Sequence, residues 1–152
     1  MAMFEFQYEP VLHHRKVLEE LKQRDLAKLL REKLIIESQL RSMQETITTD
    51  KRQMAGALTG TVEVRRIRQH AAHAGQVAVL ARQMAARLMI LTKQIELTRA
   101  KLLEAAKARK AIELLREKQF ARWQREQDKK EAAVIDELAT QSYARRDREV
   151  TA

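Results

Sequence analysis

Residues 55–76, which read AGALTGTVEVRRIRQHAAHAGQ, decide the fold because they contain all three glycines of the chain. The single proline, Pro10, lies near the other end of the preceding run. Residues 11–55 and 76–152 therefore hold neither glycine nor proline, and both runs are rich in Leu, Ala, Glu, Lys, Gln and Arg. These are strong helix formers. The sequence predicts two long helices joined by a short tip.

Apolar residues recur every three or four positions in both runs, as they do along the seam of a coiled coil. In the first run they are Leu26, Leu29, Ile36, Leu40, Met43, Ile47 and Met54. In the second run they are Val77, Ala81, Met84, Leu88, Leu91, Ile95, Leu102, Ala105 and Ile112. Polar residues interrupt the two seams at Lys33, Asp50, Thr98 and Arg109. Each seam is narrow, so we expect each to pack against the other.

The predicted fold is all-α: an elongated antiparallel two-helix coiled coil, or helical hairpin, that forms a single domain over residues 1–152. The boundaries expected from the positions of the breakers are a first helix at about 10–54, a tip at about 55–76, a second helix at about 77–144 and a frayed tail at 145–152. Within the tip we predict a turn, a short helix from Val62 to Ala74 and a kink at Gly75.

Most of the aromatic residues are predicted to meet at the open end of the hairpin. A turn between Met54 and Val77 would place residues whose numbers sum to about 131 opposite each other, with Tyr8 beside Trp123. Aromatic rings bury large areas, so this cluster would clamp the two termini together. The predicted structural clamp consists of Phe4, Phe6, Tyr8, Phe120 and Trp123.

Charge and composition narrow the classes of partner. The chain has 30 Lys and Arg against 21 Asp and Glu, and this net charge of +9 favours nucleic acid, anionic lipid headgroups or an acidic protein surface. There is no cysteine for a disulfide or a thiolate site. No stretch approaches the roughly 18 consecutive apolar residues of a membrane-spanning helix, so we expect a soluble chain that is not secreted.

The sequence offers little for catalysis. His70 and His73 lie on neighbouring turns and could supply two metal ligands, but Glu63 is two turns away and there is no second ligand pair. No glycine-rich phosphate loop, Gly-x-Ser-x-Gly or His-Glu-x-x-His motif is present. Two helices also provide no walled pocket. We therefore expect no metal, no cofactor and no enzymatic activity.

Four stretches carry a family resemblance. They are residues 4–12, FEFQYEPVL; residues 37–40, ESQL; residues 106–118, AKARKAIELLREK; and residues 136–139, DELA. Together they resemble the FliJ family of the bacterial flagellar export apparatus, over the whole chain. The resemblance implies a coiled coil similar to the central stalk of rotary ATPases, with a role in type III secretion, motility and chemotaxis. It also implies a cytoplasmic protein, peripherally associated with the cell membrane at the flagellar basal body.

The resemblance further implies partners and surfaces. FliJ proteins associate with the hexameric export ATPase FliI and with the cytoplasmic part of the export gate FlhA, and they help to move export chaperones. Gln39 and Met43 match the gate-contacting patch of the family, which lies toward the turn. The ATPase-facing end would be the paired termini, where a basic helix could enter a ring lined by acidic groups. The candidate ATPase-binding residues are Arg116, Lys118, Arg122, Arg125, Lys129 and Lys130.

Two alternatives stay open at the level of the sequence. The first is a stalk protein of an injectisome-type secretion system. The second is a basic coiled coil that binds nucleic acid or acts as an adaptor. Nucleic acid is not the expected partner, because no basic region leads into a parallel zipper and no aromatic residues interleave with the cations.

Overall fold

The computed structural model describes residues 3–150, and the side chains of all of these except 144 and 146–150. Helix α1 spans Glu9–Ala57 and helix α2 spans Val64–Val150. The part of the chain that is described contains no strand. The predicted all-α fold, with two long helices packed against each other as a hairpin, is confirmed.

The two helices begin and end where local chemistry favours it. Helix α1 begins at Glu9 and has Pro10 in its first turn, where a residue without an N–H is tolerated because no helical carbonyl would accept that bond. At its other end the Thr59 hydroxyl donates to the Gly56 carbonyl at 2.7 Å. Gly60 then adopts a φ of 92°, in the left-handed region that favours glycine, and the chain reverses there.

The tip is shorter than the sequence suggested. Only residues 58–63 separate the two helices, and the segment that we expected to form a separate short helix is the first part of α2. Helix α2 runs through Gly75 without interruption. An isolated glycine lowers helix stability by only about 1 kcal/mol, which the surrounding helix formers offset. The predicted tail at 145–152 lies partly outside the described residues, and α2 is helical to Val150.

Tertiary contacts divide the chain into two units, and each contains part of both helices. We call Leu18–Ala105 the turn unit, and we call Met1–Val17 together with Ala106–Ala152 the terminal unit. The expectation of a single domain stays a prediction. Within the described residues, neither helix contains an apolar stretch of the length that a membrane-spanning segment needs.

The core of the turn unit is aliphatic. Ile36, Leu91 and Ile95 are buried at its centre. The partly buried side chains packed against them are Leu26, Leu29, Leu30, Leu40, Met84 and Leu88. All but one of these nine residues, Leu30, are positions of the predicted seams.

The pairing of the helices differs from the predicted register. In the turn unit Glu32 accepts a hydrogen bond from Arg87 at 2.6 Å, and Asp50 lies against His73. The predicted register would have placed Asp50 opposite Ala81, about two helical turns further along α2. The cause is the position of the turn, because a loop at 58–63 reverses the chain earlier than a tip centred between Met54 and Val77 would.

Candidate partner-binding surfaces

The predicted gate-contacting residues lie on α1 in the turn unit. Gln39 is exposed and Met43 is half-buried. They are four residues apart, so they share one face of the helix. Asp50 lies seven residues beyond Met43, on the same side of the helix. This patch therefore combines an amide and a flexible thioether, and the buried carboxylate of Asp50 lies two turns further along the helix.

Asp50 is the feature of this region that the sequence did not reveal. Asp50 is only 8% exposed, and its Oδ2 atom lies 2.6 Å from Nδ1 of His73. Nδ1 of His70 lies 3.8 Å from its Oδ1 atom. The polar interruption at Asp50 and the spacing of the two histidines were both visible in the sequence. The predicted register, which was wrong, placed Asp50 opposite Ala81 and so did not pair it with the histidines.

Asp50 and His73 share a hydrogen bond, whereas His70 lies beyond hydrogen-bond distance of the carboxylate at 3.8 Å. No group of three or more His, Cys, Asp or Glu side chains in the described part of the chain could hold a metal ion. The short contact between Asp50 and His73 joins α1 to α2 across the seam. A buried carboxylate with a partner on the other helix favours one alignment of two helices over slipped ones, because slipping would leave that carboxylate without its partner.

The candidate ATPase-binding residues lie on α2 in the terminal unit, and all six are exposed. Arg116 is paired with Glu9 of α1, its Nε atom lying 3.1 Å from Oε2. Four of the others advance by four, three and four residues, which places them within an arc of about 60° at 100° per residue. We call this set the basic stripe; it consists of Lys118, Arg122, Arg125 and Lys129. By the same spacing, Phe120 lies on the opposite side of the helix.

The aromatic residues of the predicted clamp meet in two groups. The ring of Phe4 lies 5.2 Å from that of Phe120, edge to face, and 5.8 Å from that of Trp123. Phe120 and Trp123 stack at 5.8 Å. Phe6 and Tyr8 form a separate pair at 5.9 Å. The predicted contact of Tyr8 with Trp123 is therefore wrong: Phe4 takes that place, about one helical turn away in register.

Buried residues and charged side chains surround these rings. Phe6 and Leu12 are the buried hydrophobic residues of the described part of the terminal unit. Phe4, Phe120 and Trp123 line an open groove of about 820 Å³, with Glu113, Arg116 and Glu117 among its charged neighbours. Arg109 donates a hydrogen bond to Glu113 at 2.6 Å. This bond, helped by the charges of Arg109, Lys110 and Lys16, holds the pKa of Glu113 below its ordinary value.

The geometry defines a class of protein: a two-helix hairpin whose candidate sites are exposed faces of helices. The model of the family described as flagellar FliJ protein matches residues 4–148. The chain belongs to the FliJ family, and the resemblance seen in its sequence is confirmed. Membership relates it to flagellar protein export. Comparisons with curated proteins and with solved structures gave no significant match.

Proposed function

We propose that this chain couples the export ATPase to the export gate of the flagellar type III apparatus. In this proposal the basic stripe binds a FliI-like hexamer, and a patch that includes Gln39 and Met43 binds the cytoplasmic part of a FlhA-like gate. The chain has no catalytic role of its own and assists export chaperones. It acts in the cytoplasm, at the membrane face of the flagellar basal body.

The basic stripe is the observation that carries the ATPase-binding half of the proposal. Its four cations are exposed and lie on the side of α2 away from Phe120, so a partner can reach them without disturbing the packed rings. No ion pair holds any of the four among the described side chains. Clustered cations of this kind suit a surface lined by carboxylates, and they steer association in a salt-dependent way.

The gate-binding half rests on the surface around Gln39 and Met43. A methionine side chain is flexible and polarisable, and it adapts to a partner surface, while a neighbouring amide supplies donors and acceptors that fix orientation. The contact between Asp50 and His73 joins the two helices two turns away. This contact favours a defined alignment of the helices next to the patch, which lowers the ordering cost of binding.

Pull-downs with two variants test the proposal. Arg122→Glu combined with Arg125→Glu should weaken binding to the ATPase at least about tenfold and flatten its salt dependence, because like charges would face an acidic lining. Binding to the gate should be retained. Gln39→Ala combined with Met43→Ala should show the opposite pattern. The matched control is Lys93→Glu with Lys101→Glu, which changes two exposed cations of the turn unit by the same charge and should affect neither partner.

The outcomes separate the alternatives. Loss of both partners from one variant with unchanged helicity would contradict two distinct surfaces. Equal loss of ATPase binding from the control would mean that net charge, not the stripe, is recognised. Comparable affinity of the unmodified chain for duplex DNA would favour the basic nucleic-acid-binding class instead.

A further inference from the structure

Three apolar side chains are exposed at the turn between the helices. Leu58 is 56%, Val62 47% and Val64 63% exposed. The first two lie in the loop at 58–63, and the third is the first residue of α2. Leu58 and Val62 lie outside both helices, so they belong to neither seam. Apolar side chains that are exposed close together in the chain and flanked by polar residues indicate a surface that is covered by something else.

The same end of the turn unit is strongly basic. Residues 51–68 contain five cations and a single carboxylate, Glu63. Glu63 is paired with Arg66, whose Nε atom lies 3.4 Å from Oε2. The remaining cations, all exposed and without an ion pair among the described side chains, are Lys51, Arg52, Arg65 and Arg68. The partner of this end should therefore be negatively charged.

The arginines near the start of α2 do not stabilise that helix. The N-terminus of a helix carries a partial positive charge, so cations in the first turns destabilise it and carboxylates stabilise it. Helix α2 has no acidic residue in its first turn, whereas Arg65, Arg66 and Arg68 all lie close to its start. A negatively charged ligand at this end would offset the repulsion. Lys51 and Arg52, near the end of α1, can reach toward the same ligand.

We propose that this end of the hairpin docks on a bilayer that contains anionic phospholipids. Leu58, Val62 and Val64 would enter the boundary between headgroups and acyl chains, while the surrounding Lys and Arg side chains would contact the phosphates. Long cationic side chains suit this arrangement because their stems lie along apolar surface and their heads stay in the headgroup layer. We define the tip surface as these three apolar residues together with Lys51, Arg52, Arg65 and Arg68.

A lipid surface fits these observations better than an acidic protein does. The apolar residues lie in and next to a reversing loop, so they present a blunt end and not the stripe that a partner helix would need. Cations come from both helices around that end, as a flat anionic surface would require. The inference deepens the proposed location at the membrane but depends on neither the ATPase nor the gate.

Flotation of the full chain with vesicles tests the proposal. Vesicles of phosphatidylcholine with 30% phosphatidylglycerol should bind the chain, and phosphatidylcholine alone should not. Binding should fall steeply between 50 and 300 mM salt, because surface potentials are screened. Arg65→Glu with Arg68→Glu should lower the partition coefficient at least about tenfold, since each cation near such a surface adds to the attraction by anionic headgroups. This variant places carboxylates at the start of α2, where they favour the helix, so misfolding is not expected.

The matched control has the same net charge as the variant that carries Arg65→Glu with Arg68→Glu. Lys93→Glu with Lys101→Glu lowers the charge of the chain by the same amount, at two exposed positions further along α2. It should retain most vesicle binding. Equal loss in both variants would overturn the tip surface in favour of unspecific attraction. Leu58→Ser with Val64→Ser should weaken binding about three- to tenfold without changing charge, and unchanged binding would overturn insertion.

A fluorescent label reports insertion directly. The chain has no cysteine, so Leu58→Cys gives a single attachment point for an environment-sensitive dye. Its emission should shift to the blue on anionic vesicles, whereas a dye on Leu34→Cys, an exposed position in α1, should not shift. Binding to polyglutamate with none to anionic vesicles would overturn the proposal in favour of an acidic protein partner. The variant with Arg65→Glu and Arg68→Glu should still bind the ATPase and the gate in pull-downs. The two proposals can then be tested separately.

Discussion

The turn unit and the terminal unit join the same two helices by different chemistry. In the turn unit about forty residues of each helix pack through aliphatic side chains, and only Ile36, Leu91 and Ile95 are buried at the centre. In the terminal unit the described residues that precede the turn unit are only 3–17, and aromatic rings join this segment to α2. A long narrow seam can be built from small contributions. A short one needs large rings, because each buries more area.

The polar contacts between the helices differ in the same way. The turn unit has a buried carboxylate, Asp50, against His73. The terminal unit has Glu9 and Arg116, both about half exposed. An exposed ion pair contributes about 0 to 1 kcal/mol, whereas a buried polar group strongly penalises an alignment that removes its partner. We infer that the contacts of the turn unit fix the alignment of the two helices, and that the contacts of the terminal unit contribute little to it.

The largest effect should come from the aliphatic core. Leu91→Ala removes a side chain that is 3% exposed at the centre of the turn unit, and it should lower the free energy of unfolding by about 2 to 5 kcal/mol. Urea denaturation followed by circular dichroism measures this change. Leu97→Ala is the matched control, because Leu97 is 64% exposed and its truncation should cost little. Similar losses from both variants would contradict the assignment of the core.

The second effect belongs to the aromatic cluster. Trp123→Ala should destabilise the terminal unit by up to about 3 kcal/mol, less than for a fully buried Trp because the side chain is only half-buried. Hydrogen exchange should accelerate at residues 4–12 and stay unchanged around Leu91. Phe4→Ala should reproduce this pattern, since Phe4 packs on both Phe120 and Trp123. If Tyr8→Ala reproduced it and Phe4→Ala did not, the original pairing of Tyr8 with Trp123 would be restored.

These residues also show how far the sequence could lead. Leucine spacing predicted the seams, because an amphipathic helix must bury its apolar stripe. The turn could not be located from glycines alone: Gly60 requires a positive φ, but Gly75 sits in a helix at little cost. An error of a few residues in the predicted position of the turn shifted every predicted pair of residues across the hairpin. Asp50 was therefore matched with Ala81 instead of His73, and Trp123 with Tyr8 instead of Phe4.

The candidate surfaces were predictable in composition but not in arrangement. Exposure of the basic stripe follows from its residue types and its position opposite the packed face. The charge of the tip surface was equally visible in the sequence. The predicted short helix from Val62 to Ala74 also placed these arginines near a helix start, but the exposure of Leu58, Val62 and Val64 beside them is a structural fact. Local propensity does not report the exposure of side chains at a turn.

A smaller effect should arise at Asp50. Asp50→Ala leaves the Nδ1 atom of His73 without its partner and should destabilise the turn unit by about 1 to 2 kcal/mol, the lower part of the usual range because His73 is itself exposed. Asp50→Leu should be nearly neutral or stabilising, since it continues the apolar seam. A double-mutant cycle with His73→Ala gives the coupling energy. A coupling energy near zero would mean that Asp50 and His73 play no role in aligning the two helices.

Alignment itself can be read by cross-linking. Cysteines placed at Glu32 and Arg87, whose side chains meet across the two helices, should be joined by a short bismaleimide cross-linker in the unmodified background, and no other cysteine competes. We expect Asp50→Leu to lower the yield of this cross-link while stability is maintained, because a seam without a polar position tolerates slipped registers. An unchanged yield would mean that the aliphatic side chains alone fix the register.

The smallest effect is the response of the terminal unit to acid. Because Arg109 lowers the pKa of Glu113 in the folded chain, the folded state binds fewer protons there than the unfolded state does. The stabilising contribution of Glu113 is therefore fully present above the ordinary pKa of a glutamate and is lost as the pH falls through the lowered pKa of the folded chain. Glu113→Gln should be less stable than the unmodified chain at pH 6, and the difference should shrink toward pH 3. The single tryptophan, Trp123, reports this unit by its fluorescence. In an Arg109→Gln background the pH dependence of the difference should be much weaker, and an undiminished dependence would assign it to Lys110 or Lys16 instead.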